Sequence, residues 1–310
     1  MTINIASLRS NITFALLKHT KHNIQFSQGT SVLHRICKSE TSEKVIFLMH
    51  GYFEDGHIFY TDKGKGFAYY LAEKGWDVYV CDLLGKGDST PKVSKDLIHS
   101  QYEIITRDIP TYIAEVRKLS GQTKINLGSH SWGGVILAGY LARSKDKDIQ
   151  SFVNFGSKRR IGIKTLRKFL YVDIGWTWLG RRFVKQDGYL SAKRMRMGNS
   201  DEAKDYYLEA DKWVHSKDWK SPVDGFDYIK ELDWDTPPSL FFTGKGDKVL
   251  GHPKDVKRFA NEVNSKITVY KVLGTKTGHQ NDYDHINILT HKDAVNDHYP
   301  LVLEFLEKFN

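Results

Sequence analysis

Short apolar runs alternate along the chain with longer segments whose apolar residues recur at helical spacing. The predicted strands are residues 45–49, 78–81, 124–127, 151–155, 239–243 and 267–270. The predicted helices are residues 64–74, 102–119, 132–142, 255–263 and 299–308. Nearly continuous apolar strands are typical of a sheet that is covered by helices on both faces. The alternation therefore predicts an α/β fold with a mostly parallel, doubly wound sheet, in which ligands bind at the carboxyl ends of the strands.

This alternation is interrupted between the strands at 151–155 and 239–243. About eighty residues rich in Trp, Tyr, Lys and Arg separate these two strands, whereas connections in α/β units usually have only a few residues. Gly156 and Pro237 stand near its two ends and are typical boundary residues. We therefore predict an α/β core made of residues 1–156 and 237–310, with an inserted helical cap at 157–236.

The composition restricts the class of protein. The chain has 310 residues, of which 40% are hydrophobic and 27% are charged, as in ordinary globular proteins. No apolar run approaches the roughly 18 residues of a membrane-spanning helix, and the apolar stretch at 12–17 is too short for a secretory signal. Cys37 and Cys81 are too few for a disulfide framework, so we expect a reducing, cytoplasmic location.

The sharpest chemical signal is the sequence LGSHSWGG at residues 127–134. A predicted strand precedes it and a predicted helix follows it, which is the setting in which a tight turn exposes a nucleophilic hydroxyl. Gly133 lies two residues after Ser131 and marks this serine as the candidate nucleophile. At the second usual glycine position the chain has Ser129, which is nearly as small. A Ser- and Gly-rich turn without catalysis is the alternative interpretation.

A serine hydroxyl needs a base that a third group orients, and in folds with this kind of turn the order along the chain is Ser, Asp or Glu, then His. Asp247 lies in a turn just past the strand at 239–243, although turns favour aspartate for structural reasons as well. Two histidines, His279 and His285, follow the last strand and precede the final helix. Spacing alone does not decide which of them is the base.

With these motifs in place, nearly the whole chain resembles the α/β-hydrolase superfamily. The matching segments are MHGYFE at 49–54, the turn at 82–89, the turn at Ser131, the turn at 244–249 and the histidine segment at 279–285. Residues 282–289 and the helix that follows resemble the acid-lipase-like branch. In that branch the histidine before an apolar-polar-apolar run is the base, which implies His285, with His279 kept as the alternative.

The resemblance implies a serine hydrolase that cleaves a carboxylic ester through an acyl-enzyme on Ser131 and needs no cofactor. It further implies an oxyanion hole made by the backbone amides of Tyr52 and Trp132. Tryptophan after the nucleophile is also seen in prolyl aminopeptidases, so amide or thioester cleavage and acyl transfer stay open as alternatives. A non-catalytic small-molecule binder is the alternative from another class of protein.

The cap is expected to meet the substrate. We expect Phe53, Trp176 and Trp178 to bind a small ester or a lipid-like molecule, with the apolar face of the cap lining an acyl pocket. His19 and His22 have no companion cysteine or carboxylate pattern, so we expect no metal site.

The basic residues are concentrated in the cap. The chain has 46 basic and 37 acidic residues, a net charge of +9. Residues 157–196 contain twelve basic and two acidic residues, a net charge of +10, which leaves the other 270 residues at −1. A basic amphipathic helix at 163–170 indicates peripheral contact with an anionic lipid surface, or an anionic substrate; the alternative is an apolar stripe packed on the core with solvated bases. We expect no nucleic-acid partner, since no recognised binding motif accompanies the charge. The sequence leaves the oligomeric state open.

Overall fold

The computed structural model describes residues 17–310, and within them eight strands form one sheet. The strands are β1 Lys18–Phe26, β2 Gly29–Cys37, β3 Val45–Met49, β4 Asp77–Asp82, β5 Ile125–His130, β6 Ile149–Phe155, β7 Ser239–Gly244 and β8 Thr268–Leu273. Their order across the sheet is β1-β2-β4-β3-β5-β6-β7-β8. The six neighbouring strands β4, β3, β5, β6, β7 and β8 are parallel. β2 pairs antiparallel with both β1 and β4. The predicted mostly parallel sheet is therefore confirmed.

Helices cover both faces of this sheet. They are α1 Phe67–Glu73, α2 Gln101–Glu103, α3 Ile109–Ser120, α4 Gly133–Ser144, α5 Leu166–Lys168, α6 Gly180–Asp187, α7 Lys204–His215, α8 Tyr228–Glu231, α9 Pro253–Val263, α10 Asn287–Thr290 and α11 Tyr299–Phe309. Because side chains alternate along a strand, Val45 and Phe47 of β3 belong to the core cluster that includes α3 and α4, whereas Ile46 and Leu48 belong to the one that includes α1 and α11. Burial on both faces explains why β3 is apolar at every position.

The sequence pattern did not indicate β1 and β2. β1 is a polar strand at the edge of the sheet. β2 is almost entirely buried but contains two charged or titratable side chains. His34 lies 3.1 Å from Asp82 Oδ2, and Arg35 donates to Asp77 at 2.9 and 2.8 Å. These polar partners from β4 allow β2 to be buried without an apolar run.

The long connection from β6 to β7 carries the helices α5 to α8. A π-helical segment, Phe169–Leu179, joins α5 to α6. The prediction of one amphipathic helix over 163–170 is wrong at its start, because Thr165 caps the helix that begins at Leu166, and Ile163 is buried in the core outside it. The division of the chain into a core and a cap at 156/157 and 236/237 stays a prediction.

The helices and the two cysteines bear on where the protein is expected to be in the cell. None of the helices in residues 17–310 is long and apolar enough to cross a membrane. Cys37 and Cys81 are both buried free thiols. Residues 12–16 of the apolar stretch that we interpret as too short for a secretory signal lie outside the described residues. The cytoplasmic location stays a prediction.

Candidate active site

Ser131 occupies the tight turn between β5 and α4. Its backbone has φ of 52°, in the left-handed region, and its amide donates to Phe155 O at 2.8 Å. A Cβ atom on Gly133 would lie 2.5 Å from Met49 O, so this position requires glycine. Ser129 fits the other crowded position because its hydroxyl donates to Asn154 Oδ1 at 2.9 Å. The turn thus fixes the Ser131 side chain at the carboxyl end of β5.

Three of the predicted site residues form a continuous series of hydrogen bonds. Ser131 Oγ lies 2.8 Å from His285 Nε2, and His285 Nδ1 lies 2.6 Å from Asp247 Oδ2. With the ring proton on Nδ1, the imidazole donates to Asp247 and accepts from the Ser131 hydroxyl. His279 lies elsewhere, with Nδ1 2.8 Å from Asp297 Oδ1.

Burial and charge shift the pKa values of Asp247 and His285. Burial alone would raise the pKa of Asp247, but the charge and hydrogen bond of His285 outweigh it and hold that pKa at about 2. Burial lowers the pKa of His285, and the pairing with Asp247 opposes this effect without cancelling it. His285 is therefore neutral and Asp247 is ionised at neutral pH, which are the states that a base and its orienting acid need.

Two backbone amides near the turn at Ser131 are free to donate. Within residues 17–310, neither the Tyr52 amide nor the Trp132 amide has an intramolecular acceptor. Their side chains are anchored instead, because the Tyr52 hydroxyl donates to Tyr206 O at 2.7 Å and Trp132 Nε1 donates to Gln101 Oε1 at 2.8 Å. Free amides on anchored residues are what an oxyanion hole requires.

A second buried acid–histidine pair supports the backbone of His285. His130 Nδ1 lies 2.5 Å from Glu54 Oε1, and His130 Nε2 donates to the carbonyl oxygen of His285 at 2.8 Å. The same Glu54 oxygen accepts from the Gly51 amide at 2.6 Å. Burial would raise the pKa of Glu54, but His130 outweighs it and keeps that pKa below its usual range. Sequence reasoning missed this pair, although His130 adjoins the nucleophile.

The segment between β6 and β7 holds the loop that follows β3. Phe53 has a left-handed backbone with φ of 63°. Its amide donates to Glu202 Oε1 at 2.6 Å, and its carbonyl accepts from the amides of Asn199 and Ser200. Lys86 Nζ lies 2.7 Å from the same Glu202 oxygen in a buried ion pair. Residues of the inserted segment therefore fix the backbone next to Tyr52.

A cavity of about 1030 Å³ opens at Ser131. Its lining is mostly apolar and comes from the core and the inserted segment: Tyr52, Phe53, Ile161, Leu170, Tyr171, Val172, Trp176, Leu179, Phe183, Met195, Met197, Val214, Val249, Leu250 and Ile286. Phe53 and Trp176 are among the lining residues, and their contact with a substrate stays a prediction. Trp178 does not line the cavity, since two residues along a helical segment place it on the opposite face from Trp176, where it is 63% exposed.

The basic charges of residues 157–196 are not all on the surface. Arg159 is buried and pairs with Glu262 at 2.8 Å. Lys158 is 5% exposed, lines the cavity, and has its Nζ 3.1 Å from Ser131 Oγ. Both fall in the segment predicted to form the cap, but Lys158 comes three residues after β6 ends, at the edge of the sheet where ligands bind. That position is the signal that could have revealed it.

One cluster of metal-ligand types lies outside the cavity lining. His34, Asp82 and Asp88 each bring one ligand atom within 4.8 Å of the others. These atoms already have partners: Asp82 Oδ2 accepts from the Asp88 amide at 2.7 Å, and Asp88 pairs with Lys21 at 2.8 Å. Burial would raise the pKa of Asp82, but His34 outweighs it and keeps that pKa at about 2. His34 and Asp82 therefore link β2 to β4 in the interior, whereas Asp88 is exposed and pairs with Lys21.

Comparison with known proteins agrees with this architecture. A family model described as the alpha/beta hydrolase fold matches residues 44–192. Among solved structures, a soluble variant of monoglyceride lipase from Saccharomyces cerevisiae is 16% identical, with a TM-score of 0.67 over 94% of this chain and 95% of that chain. The Pyrococcus furiosus esterase Pf2001 is 15% identical, with a TM-score of 0.59 over 94% and 91%.

The thioesterase domain from the curacin biosynthetic pathway is 16% identical, with a TM-score of 0.57 over 92% of this chain and 99% of that chain. No protein of curated function matches the chain by sequence. Identities this low show the fold alone, and it is the same fold in each case. The sheet order, the turn at Ser131 and the family match over residues 44–192 together show that the chain has the α/β-hydrolase fold.

Proposed function

We propose that the protein is a serine hydrolase that cleaves a carboxylic ester through an acyl-enzyme on Ser131. The single observation that carries the proposal is the unbroken hydrogen-bond series from Ser131 through His285 to Asp247, at 2.8 and 2.6 Å. A neutral imidazole hydrogen-bonded to a serine hydroxyl is positioned to take its proton.

In the first half of the reaction, Ser131 Oγ bonds to the acyl carbon while its proton passes to His285 Nε2. The carbonyl oxygen becomes negative and is held by the amides of Tyr52 and Trp132. Each such donor lowers the barrier by about 3 kcal/mol. His285 then gives the proton to the departing alcohol, which leaves the acyl group on Ser131.

In the second half, water replaces the alcohol. His285 accepts a proton from the water as its oxygen bonds to the acyl carbon, and returns the proton to Ser131 Oγ when the acid leaves. Asp247 stays ionised throughout, because it holds the imidazole tautomer and stabilises the imidazolium. No cofactor is needed for either half.

The cavity favours a small ester with a substantial apolar part. Its apolar lining and its volume of about 1030 Å³ are at the upper end of the usual range for small-molecule sites. We take residues 157–236 as a cap over the nucleophile, since many of the lining side chains come from this segment. Phe53 and Trp176 are the aromatic contacts that we assign to the substrate.

Other acyl substrates would use the same residues. Amide cleavage, as in an aminopeptidase, thioester cleavage and acyl transfer all proceed through an acyl group on Ser131, so these remain alternatives within the proposal. A non-catalytic binder is disfavoured on chemical grounds, because a binding protein has no need for a base placed on a serine hydroxyl.

A fluorophosphonate probe tests the proposal directly, since it labels serines that a base activates. We expect labelling of the native protein, no labelling of Ser131→Ala, and a large loss of labelling rate in His285→Ala. His279→Ala is the matched control, because this histidine pairs with Asp297, and it should label at the native rate. An unlabelled native protein would overturn the proposal. Loss of labelling in His279→Ala, with labelling retained in His285→Ala, would identify His279 rather than His285 as the base.

A further inference from the structure

Lys158 is a buried cation that the proposed triad does not use. It lies two residues after Gly156, which follows β6 and has a left-handed backbone with φ of 62°. Its Nζ lies 3.1 Å from Ser131 Oγ, its side chain lines the cavity, and only 5% of its surface is exposed. The Ser131 hydroxyl thus meets His285 on one side and an ammonium group on another.

No carboxylate of the protein neutralises this ammonium group at close range. Among the described residues, no carboxylate oxygen lies within 4 Å of Lys158 Nζ, and Ser131 Oγ is its one hydrogen-bond partner. The acidic groups that act on it from greater distance have partners of their own: Asp247 binds His285, Glu54 binds His130, and Asp255 binds Arg258. A buried charge without a close partner is costly to a folded protein.

The state of Lys158 also affects the base. Burial lowers the pKa of Lys158 to about 8, although Asp247, Glu54 and Asp255 oppose this effect, so at neutral pH most molecules carry the charge. That charge lowers the pKa of His285 and therefore disfavours the imidazolium that forms during attack. A negative group next to Lys158 would offset the effect of its charge on the His285 imidazolium. The same group would give the buried ammonium a partner of opposite charge.

On the basis of the proposed hydrolase function, we propose that Lys158 binds a negatively charged group of the substrate beside the scissile carbonyl. The substrate class is then an anionic ester whose remaining part is apolar, such as the half-ester of a dicarboxylic acid. Two free amides already serve the developing oxyanion, so the ammonium group is available for a second negative group.

The distances limit how far this group lies from the reacting carbon. A carbonyl carbon ready for attack lies about 3 to 3.5 Å from Oγ, and an ammonium–carboxylate hydrogen bond spans about 2.8 Å. Because Nζ and Oγ are 3.1 Å apart, the carbonyl carbon and the bound anion are at most about 9 Å apart. Both groups therefore belong to one small substrate and are separated by a few bonds, on either the acyl or the alcohol side.

Pairs of esters that differ only in charge test the proposal. On the acyl side, monoethyl succinate is compared with ethyl 4-methylpentanoate, in which an isopropyl group replaces the carboxylate. On the alcohol side, acetoxyacetate is compared with isobutyl acetate in the same way. The ratio of kcat/KM within each pair isolates the charge, and the pair with the larger ratio identifies the side that carries the anion.

We expect the native protein to prefer the anionic member of one pair by about ten- to a hundredfold, as for a hydrogen bond to a charged group. Lys158→Met should reduce this ratio to about one, mainly through KM. Lys245→Met, an exposed lysine of the same charge outside the cavity, should keep the native ratio. The methionine variant retains the length of the side chain and removes an unpaired buried charge, so its thermal midpoint should not fall.

Two results would overturn the proposal. One is a native protein without a charge preference in either pair; the other is an equal loss of kcat/KM on both members in Lys158→Met, which would assign the ammonium group to the nucleophile alone. Fluorophosphonate labelling separates these failures from failure of the proposed function. Labelled protein without a charge preference refutes the role of Lys158, whereas unlabelled native protein refutes the hydrolase function on which it rests.

Discussion

At the scale of single residues, the pKa of His285 predicts the pH dependence of the reaction. In the proposed reaction the neutral imidazole is the base, and burial lowers its pKa below the usual value of about 6.5. Since the active form persists until the pH falls through this lowered pKa, the acid limb of kcat/KM for a neutral ester should lie below pH 6.5. Asp247 stays ionised across this range, because its pKa is about 2.

The measurement is a pH profile of kcat/KM with one neutral ester, for the native protein and for His279→Ala. The two acid limbs should coincide, because His279 lies against Asp297. An acid limb at or above pH 6.5 would contradict the assignment of the buried His285 as the base. With an anionic ester, the charge preference should fall as the pH rises past about 8, where Lys158 loses its proton.

The residues of the site differ in how far the sequence could predict them. Ser131 and Asp247 could be found because each lies just past the end of an apolar strand, which is a local feature. His279 and His285 both follow β8, so spacing does not distinguish them. The resemblance favours His285, and the fold places Asp297 beside the first and Asp247 beside the second. Lys158 lies three residues past β6, at the edge of the sheet where ligands bind, but its burial beside Ser131 is a property of the folded molecule that the sequence does not show.

At the scale of elements, we expect the π-helical segment Phe169–Leu179 to determine the shape of the cavity at Ser131. Trp176 faces the cavity and packs edge-on against Tyr52 and Phe53, at ring distances of 5.0 and 5.3 Å. Trp176→Ala should therefore open space and shift the preferred acyl chain to longer esters. For the best short ester we expect a loss of roughly tenfold in kcat/KM, as misfit in an apolar pocket usually costs about 1–3 kcal/mol per methylene.

The measurement is kcat/KM over a series of p-nitrophenyl esters of increasing chain length. Trp178→Ala is the matched control, because it removes the same side chain from the same segment on the exposed face. Its profile should follow that of the native protein. Equal shifts in the two variants would mean that the segment acts through its overall stability rather than through the side chain in the cavity.

The elements were predictable where burial made them apolar. Five of the six parallel strands are buried at nearly every position, and their apolar runs predicted them. β8 is a partly exposed edge strand and was predicted from its β-branched residues. β2 was missed because His34 and Arg35 interrupt its apolar pattern, and their partners Asp82 and Asp77 come from β4, far along the sequence. The start of α5 was misplaced since Ile163 continues the apolar spacing although it packs outside the helix.

At the scale of the whole molecule, the charge excess has two parts. Six of the twelve basic residues in 157–196 are either buried or paired with an acid. Lys158 is buried, and five others lie within 4 Å of carboxylates: Arg159, Arg160, Lys168, Arg181 and Arg194. For the other six, no carboxylate within the described residues comes this close: Lys164, Arg167, Arg182, Lys185, Lys193 and Arg196. Only this second group is available to a partner at the surface of the protein.

Exposed apolar side chains accompany these free cations. Leu170, Tyr171, Leu250 and Ile286 line the cavity and are also exposed, so they stand at its mouth. Arg167 and Arg196 line the same cavity, and Leu166, on the same turn as Arg167, is 73% exposed. Apolar side chains surrounded by unpaired cations are suited to an anionic lipid surface. We therefore expect the mouth of the cavity to face such a surface.

Vesicle sedimentation tests this expectation. The protein should bind vesicles that contain phosphatidylserine, bind those of pure phosphatidylcholine less, and dissociate as salt is raised. Lys164→Glu with Arg167→Glu should weaken binding by roughly tenfold or more, since a basic residue near a membrane contributes about 1 kcal/mol. The matched control is Lys271→Glu with Lys276→Glu, the same change of charge on exposed lysines outside the cavity lining. Equal loss in both variants would assign the attraction to net charge, and equal binding to both vesicle types would leave no role for the cations at the mouth.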